Sequence, residues 1–329
     1  MVYPNRPPDP LGAPGTENAL VGRLTAVLDA ASGGPPPGQI WIGDDAAVLG
    51  RPAGRLVLAT DAVVEGVHVD LDLVAPSDAG WKSMAAALSD VGAVGARPSH
   101  ALVTLAVPPG IAVAGVIEGV AEASAEWQCP VVGGDLTASS VLVISVAVAG
   151  VLEGERPPVS RAGARPGDWL ALTGPLGSSS AGLRALRDGA AGSPATAAGM
   201  AVASAIRSHR RPRARLAEGL AAREAGASAM IDVSDGLAID LHRLADASGV
   251  GFELDRVPVV EGATTLDALG GGEDYELVIA TPAPESLSQA FNAAGLRSPV
   301  VIGRCVEDPA RRVLRGEMLE AMGWEHRIG

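Results

Sequence analysis

The residues of this chain best placed to do chemistry are aspartates that recur, often beside glycine, at the ends of short apolar runs. Gly43-Asp44-Asp45 follows residues 39–42, Asp61 follows Leu56-Val57-Leu58-Ala59-Thr60, Gly133-Gly134-Asp135 follows Val131-Val132, and Asp232-Val233-Ser234-Asp235-Gly236 follows Met230-Ile231. Asp90, in Leu88-Ser89-Asp90, closes a predicted helix. Strand ends can converge on one rim of a sheet, and carboxylates gathered there repel unless a cation holds them. A hard divalent ion is implied. Scattered single aspartates suit magnesium, which keeps several waters and bridges a few carboxylates to phosphate, better than a protein-only calcium cage. The 232–236 segment also fails the spacing of a calcium-binding EF-hand loop. Any one aspartate taken alone is explained by turn and cap chemistry; the recurrence points to metal. Glycines accompany the acids at Gly43, Gly133, Gly134 and Gly236, and Gly270-Gly271-Gly272 precedes Glu273-Asp274-Tyr275-Glu276. Backbone without a Cβ can approach an anion closely or turn tightly, and the 270–272 tract fits either use.

These residues need a scaffold, and the apolar periodicity supplies one. A helix is predicted from residue 17 to 30, capped by Thr16, after a Pro/Gly-rich tail over residues 1–15. Strands are predicted at 39–42, 55–60, 101–107 and 141–151, with helices at 77–91 and 113–127 between them. Glu153-Gly154-Glu155-Arg156-Pro157-Pro158-Val159 reads as a linker. Beyond it come strands at 168–173, 230–233, 252–254, 275–281 and 300–302. Helices are expected near 179, over 197–225 with a break at Pro212, and at 237–247 and 287–294. The pattern implies an α+β or mixed α/β architecture of two domains, 16–152 and 153–329.

Composition narrows the function classes. The 329 residues carry 25 basic and 38 acidic side chains, a net charge of −13, which argues against a nucleic-acid binder. Glycine (42) and proline (25) are abundant, but 47% hydrophobic content fits a loop-rich globule rather than a disordered chain. The one lysine, Lys82, follows Trp81 and not glycine, so no Walker loop grips phosphate. Cys129 and Cys305 form no CxxC pattern. No apolar run is long enough to span a bilayer, and the opening residues lack a signal-peptide pattern. The expectation is a cytoplasmic protein with no membrane partner.

Taken in order, seven motifs resemble the thiamine-monophosphate kinase family. They are Gly43-Asp44-Asp45-Ala46-Ala47-Val48; Thr60-Asp61 with Glu65-Gly66-Val67-His68; Leu88-Ser89-Asp90; Val132-Gly133-Gly134-Asp135; Ser160-Arg161 through Gly167-Asp168; Ile231-Asp232-Val233-Ser234-Asp235-Gly236-Leu237; and Gly271-Gly272-Glu273-Asp274-Tyr275-Glu276-Leu277. The resemblance runs from about Gly15 to Trp324. It implies the two-domain fold of aminoimidazole ribonucleotide synthetase, with N-terminal domains pairing their sheets across a homodimer and a C-terminal mixed α/β domain. It also implies the reaction of ATP with thiamine phosphate to give ADP and thiamine diphosphate, with several magnesium ions. On matching positions, Asp45, Thr60, Asp61, Asp90, Asp135, Asp232 and Asp235 are implied metal ligands. Gly134, Asp135, Arg161 and Ser234 are implied nucleotide contacts, and His68, Glu273 and Trp324 implied thiamine-phosphate contacts. Ala59 departs from relatives with a hydroxyl residue there, so a ligand at that position would be a backbone carbonyl.

The residues themselves support this chemistry. A phosphate acceptor is already ionised at neutral pH, so no general base is expected, and Asp45, Asp90 and Asp232 are expected to act through magnesium. Of five histidines only His68 lies among the acidic motifs; His100, His209, His242 and His326 read as surface or capping residues. Arg161 can fork onto a phosphate, and Trp324 can offer an aromatic face to the cationic thiazolium or the pyrimidine. The run Arg207, Arg210, Arg211, Arg213 and Arg215 reads as a solvated helix end. A purine-pathway ATP-dependent synthetase of the same fold and a non-catalytic divalent-cation-binding protein are the alternatives. Selenophosphate synthetase fits poorly, because the first cysteine is Cys129.

Overall fold

The computed structural model describes residues 17–190 and 196–326, so the tail over 1–15 and the Thr16 cap lie outside the described residues. The chain divides into two compact units, residues 1–88 with 98–151, and residues 89–97 with 152–329. The second unit therefore takes in residues 89–97, a segment the apolar pattern left in the N-terminal domain.

In the first unit, α1 (Glu17–Ser32), α3 (Val113–Trp127) and the part of α2 (Pro76–Ala93) up to residue 88 accompany a sheet of order β1-β4-β2-β3. Its strands are β1 (Arg55–Val64), β2 (Arg97–Val107), β3 (Val131–Ala138) and β4 (Val143–Leu152). One face of β4 is buried at Ile144, Val146 and Val148, as a two-residue period requires. Helices α2 and α3 approach through glycines. A Cβ on Gly119 would stand 1.8 Å from the Ser77 carbonyl oxygen, and one on Gly80 2.0 Å from that of Val116. Trp81 stacks at a tilt on Trp127, 4.9 Å between ring centroids. Lys82 is only 1% exposed, so the single lysine belongs to the interior of this unit.

The second unit holds β5 (Trp169–Leu172), β6 (Ala229–Asp232), β7 (Gly251–Leu254), β8 (Leu277–Thr281), β9 (Val300–Val306), β10 (Arg312–Leu314) and β11 (Glu317–Met318). They form one sheet of order β11-β10-β7-β9-β5-β8-β6, antiparallel except where β10 meets β7. Its helices are α4 (Ser178–Arg187), α5 (Ala197–Arg210), α6 (Leu216–Glu224), α7 (Leu237–Ser248), α8 (Thr265–Gly270) and α9 (Pro284–Ala293). Both faces are covered. Leu170, Leu172, Ile231 and Val278 pack with Leu237, Leu241 and Leu244 of α7. Their strand neighbours Ala171, Met230, Leu277 and Ile279 pack with Leu287 and Phe291 of α9.

Several expectations need correction. Residues 39–42 form no strand, only isolated bridges from Ile40 to Val48 and from Ile42 to Asp44; the flanking Gly/Pro tracts leave too little regular chain to pair. Asp61 and Asp135 lie inside β1 and β3 rather than after them, and Asp90 lies inside α2. Elements α8, β10 and β11 were not anticipated, because at six, three and two residues they are too short to show a period.

Helix α4 starts at a left-handed Gly177 with no side-chain cap of its own. Asp274 supplies one: Oδ2 accepts from the Gly177 amide at 2.6 Å, and Oδ1 accepts from the Ser179 amide and the Ser178 hydroxyl, both at 3.0 Å. Burial nonetheless lifts its carboxyl to about 6, from 3.8, against the pull of those amides. The folded chain therefore binds this proton more tightly than the unfolded chain, and Asp274 makes stability fall as pH rises from about 4 to about 6. Urea unfolding of Asp274→Asn across this range is expected to lose that component, flattening the slope by up to about one proton.

Candidate functional site

The sequence-predicted site residues fall into two groups, one in each unit. In the first unit a cavity of about 1040 Å³ is lined by Asp44, Asp45, Thr60, Gly134 and Asp135, with Trp41 and His100 among its other lining residues. Asp45 follows the left-handed Gly43, and its amide donates to Asp44 Oδ1 at 2.8 Å. Thr60 is carried by β1, and Asp135 by β3 in register with Thr104 of β2. Gly134 has a structural reason to be glycine, since a Cβ there would sit 1.9 Å from the Val103 carbonyl oxygen.

Asp61 is exposed, does not line this cavity, and accepts from the Ala62 amide at 2.6 Å; one residue along a strand reverses the face. His68 sits in the turn after β1, where its Nδ1 accepts from the Val64 amide at 3.1 Å. The neutral ring then carries its proton on Nε2. His100 is half-buried, stands edge-on to Trp41 at 6.1 Å, and has its pKa lowered by burial.

In the second unit the 232–236 segment leaves β6 and is bonded through its backbone to three other parts of the chain. The Tyr275 amide donates to the Val233 carbonyl at 2.9 Å, Glu273 to Ser234 at 2.7 Å, and Trp324 to Asp235 at 2.9 Å. The Val233 amide donates to the Glu276 carbonyl at 2.7 Å. The amides of Asp235 and Gly236 donate to Asp240 Oδ2 at 3.0 and 3.2 Å. Close packing accounts for two glycines of the 270–272 tract, and the contact with this segment for one of them. A Cβ on Gly272 would lie 2.4 Å from the Ser234 carbonyl oxygen, and one on Gly271 2.1 Å from Ser180 Oγ. These glycines let protein approach protein. Glu273 and Tyr275 take positive φ of 65° and 50° beside them, a conformation that non-glycine residues adopt at a cost.

The side chains of this segment are thereby set. The Ser89 hydroxyl donates to Asp232 Oδ2 at 2.6 Å. Burial first, and the Asp90 charge second, raise the Asp232 carboxyl to about 6; the Ser89 bond and the Arg161 charge oppose them. Arg161 is thus close enough to be felt by Asp232, on a segment whose Ser160 carbonyl accepts from the Met230 amide at 3.0 Å. Trp324 is 48% exposed, and its ring meets His326 edge-on at 6.0 Å.

Several contacts around these residues were missed by the sequence reading. Glu273 Oε2 lies 3.6 Å from His209 Nδ1, which also pairs with Ser179 Oγ at 3.0 Å. His209 is buried, so it is no surface residue. Glu276 is buried as well, accepting from Thr173 and from Arg215 and Arg297 at 2.7 and 3.2 Å. Arg215 therefore anchors the acidic motif instead of ending a solvated helix. Of the motif's acids, Asp274 and Glu276 face inward and Glu273 stays partly accessible. His242 is half-buried and bonds the Leu319 carbonyl at 2.8 Å.

Among the described residues no three carboxylates, histidines or cysteines gather closely enough to hold a metal ion. The expected convergence on one sheet rim is corrected accordingly: Asp61, Asp90, Asp135 and Asp232 lie within strands or helices, and Asp44, Asp45 and Asp235 lie outside them.

Comparison with known proteins agrees with the motif order. The N-terminal domain model of AIR synthase related proteins matches residues 43–152, and the C-terminal domain model matches residues 165–315. The thiamine-monophosphate kinase of Mycobacterium tuberculosis is 36% identical over 300 residues, 86% of this chain and 84% of that protein. The solved thiamine-monophosphate kinase from Stenotrophomonas maltophilia superposes with a TM-score of 0.78 at 29% identity, over 92% of this chain and 97% of that one. A solved structure described as AaThiL complexed with AMPPCP and TMP superposes with a TM-score of 0.73 at 32% identity, over 94% of this chain and 97% of that one. With both domain models matched in order, and a relative above 30% identity over most of its length, the chain belongs to the thiamine-monophosphate kinase family.

Proposed function

We propose that this chain transfers the γ-phosphoryl group of ATP, directly and in line, to thiamine phosphate, giving ADP and thiamine diphosphate in the last step of thiamine diphosphate synthesis. The observation that carries the reading is the bond from the Trp324 amide to the Asp235 carbonyl. It joins an exposed aromatic, suited to a cationic heterocycle, to the segment holding Asp232, Ser234 and Asp235, suited to phosphate and its counter-ion. The relative complexed with AMPPCP and TMP supports both substrates.

Asp45, Thr60, Asp61, Asp90, Asp135, Asp232 and Asp235 are assigned to several magnesium ions. The donors are all hard oxygens, and the Asp90 charge pressing on Asp232 is a repulsion that a divalent cation relieves. Such an ion completes its shell with water and phosphate, so it needs no trio of protein carboxylates. When bound, magnesium supplies charge neutralisation for the phosphate oxygens and for the transferring group. Gly134, Asp135, Arg161 and Ser234 bind the nucleotide; His68, Glu273 and Trp324 bind thiamine phosphate. The acceptor oxygen is already ionised, and no side chain is assigned to remove a proton from it. Cys129 and Cys305 are both buried, and burial pushes their thiols up to about 12, so no nucleophilic role is assigned to them.

A homodimer formed through the four-stranded sheet is proposed as the working form. Leu58 (73% exposed), Leu56 and Leu102 lie exposed on β1 and β2, and β1 is an edge strand; a second copy would cover both. The cytoplasm is the proposed compartment, in keeping with two free cysteines and with the absence, among the described residues, of any helix able to cross a membrane.

Purified protein supplied with ATP, magnesium and thiamine phosphate is expected to form thiamine diphosphate. No product, with ADP released only when a purine precursor is added, would overturn the reading. Asp45→Asn and Asp232→Asn are each expected to lower kcat on the order of 10²–10³-fold, with an unchanged circular dichroism spectrum. In Gly323→Ala the new Cβ would meet Ile239 Cγ2 at 2.4 Å and the Asp235 carbonyl oxygen at 2.6 Å, displacing Trp324. The expected result is a KM for thiamine phosphate raised about 10–100-fold, with the KM for ATP unchanged.

A further inference from the structure

We infer that Asp240 and Arg243, neighbours on α7, are positioning residues that hold the Asp235 carboxylate for a divalent cation; this rests on the metal reading of Asp235 given above. Asp240 is 1% exposed and three bonds engage its carboxylate. Oδ2 accepts from the Asp235 and Gly236 amides at 3.0 and 3.2 Å, and Oδ1 accepts from Arg243 Nη1 at 2.7 Å. Arg243 Nη1 also donates to Asp235 Oδ2. Residue 235 is therefore tethered twice, at its amide by Asp240 and at its side chain by Arg243. The tether closes on itself through the Asp240–Arg243 bond.

The arrangement is unlike an isolated surface ion pair, which solvent screens and which contributes little. A buried aspartate is committed to the backbone of one short turn, and Arg243, the one guanidinium bonded to it among the described residues, is shared with the side chain that turn presents. Two carboxylates against one guanidinium leave a net negative charge beside Asp235, which favours a cation. The position also lies next to Gly236, whose φ of 128° and close approach to the Leu269 carbonyl fix where α7 begins. Any slack in residue 235 would thus be taken up by the carboxylate rather than by the helix. Groups that orient a ligating carboxylate through hydrogen bonds typically change metal affinity or activity by about 10–100-fold when removed.

The test uses the full chain and Mn2+ as the probe, titrated by electron paramagnetic resonance in the presence of a non-hydrolysable ATP analogue, alongside the magnesium dependence of turnover. Arg243→Gln, at a part-exposed site where misfolding is least expected, should weaken at least one class of Mn2+ sites by about 10–100-fold and raise the magnesium requirement in parallel, leaving the KM for thiamine phosphate unchanged. Asp240→Asn should do the same. Arg243→Lys, which keeps the charge but not the fork, should recover part of the loss. Unaltered Mn2+ affinity in a folded Arg243→Gln, or a loss confined to thermal stability, would overturn the inference. A wild-type protein that makes thiamine diphosphate but binds no Mn2+ would overturn the inference and the metal assignment together, leaving the kinase reading in place.

Discussion

The second unit depends on one constraint: the turn from Asp232 to Gly236 must satisfy its backbone with protein so that its side chains are left for other work. A turn at the end of a buried strand carries amides and carbonyls that cost free energy if unpaired. Here the 273–276 segment, the Trp324 amide and the Asp240 carboxylate take them up. The glycine at 272 follows from this, because only a residue without a Cβ allows the two segments to meet. So does the left-handed backbone at Glu273 and Tyr275. Strain at those two positions persists because the surrounding bonds overdetermine them.

The same constraint sorts the acids. Asp232, Asp240 and Asp274 are each raised to about 6, and in each case burial is the first cause. Their partners distinguish them. Asp274 faces the first amides of α4 and behaves as a cap. Asp240 serves the amides of the turn. Asp232 has one hydroxyl and the charge of a second carboxylate, an arrangement that a hard cation would complete. A raised carboxyl is therefore no marker of function in this chain until the groups facing it are named.

Much of the architecture was legible in the residue order. Helices α2, α3 and α7 and strands β2, β6 and β8 follow apolar periods long enough to read, and the chain of seven motifs carried the family. Residue order alone left the acids as one set; only the structure shows Asp45, Thr60 and Asp135 lining one cavity and the charges of Asp90 and Arg161 acting on Asp232. Nor did residue order show that Asp61, one residue past Thr60, turns away from the cavity that Thr60 lines.

What the sequence by itself determined was the identity and order of the chemistry-bearing residues, since glycine, aspartate and aromatic types are local facts. Tertiary structure alone decided which of them are free to act. In Glu273-Asp274-Tyr275-Glu276 the acids look equivalent, yet Asp274 is spent on a helix start and Glu276 on Thr173, Arg215 and Arg297, all distant in the chain. His209, Arg215, Asp240 and Arg243 carried no motif that would mark them, because their roles arise from partners brought close only by folding. A periodic pattern records which face is buried, whereas the bonds that commit a polar group depend on what the fold places opposite it.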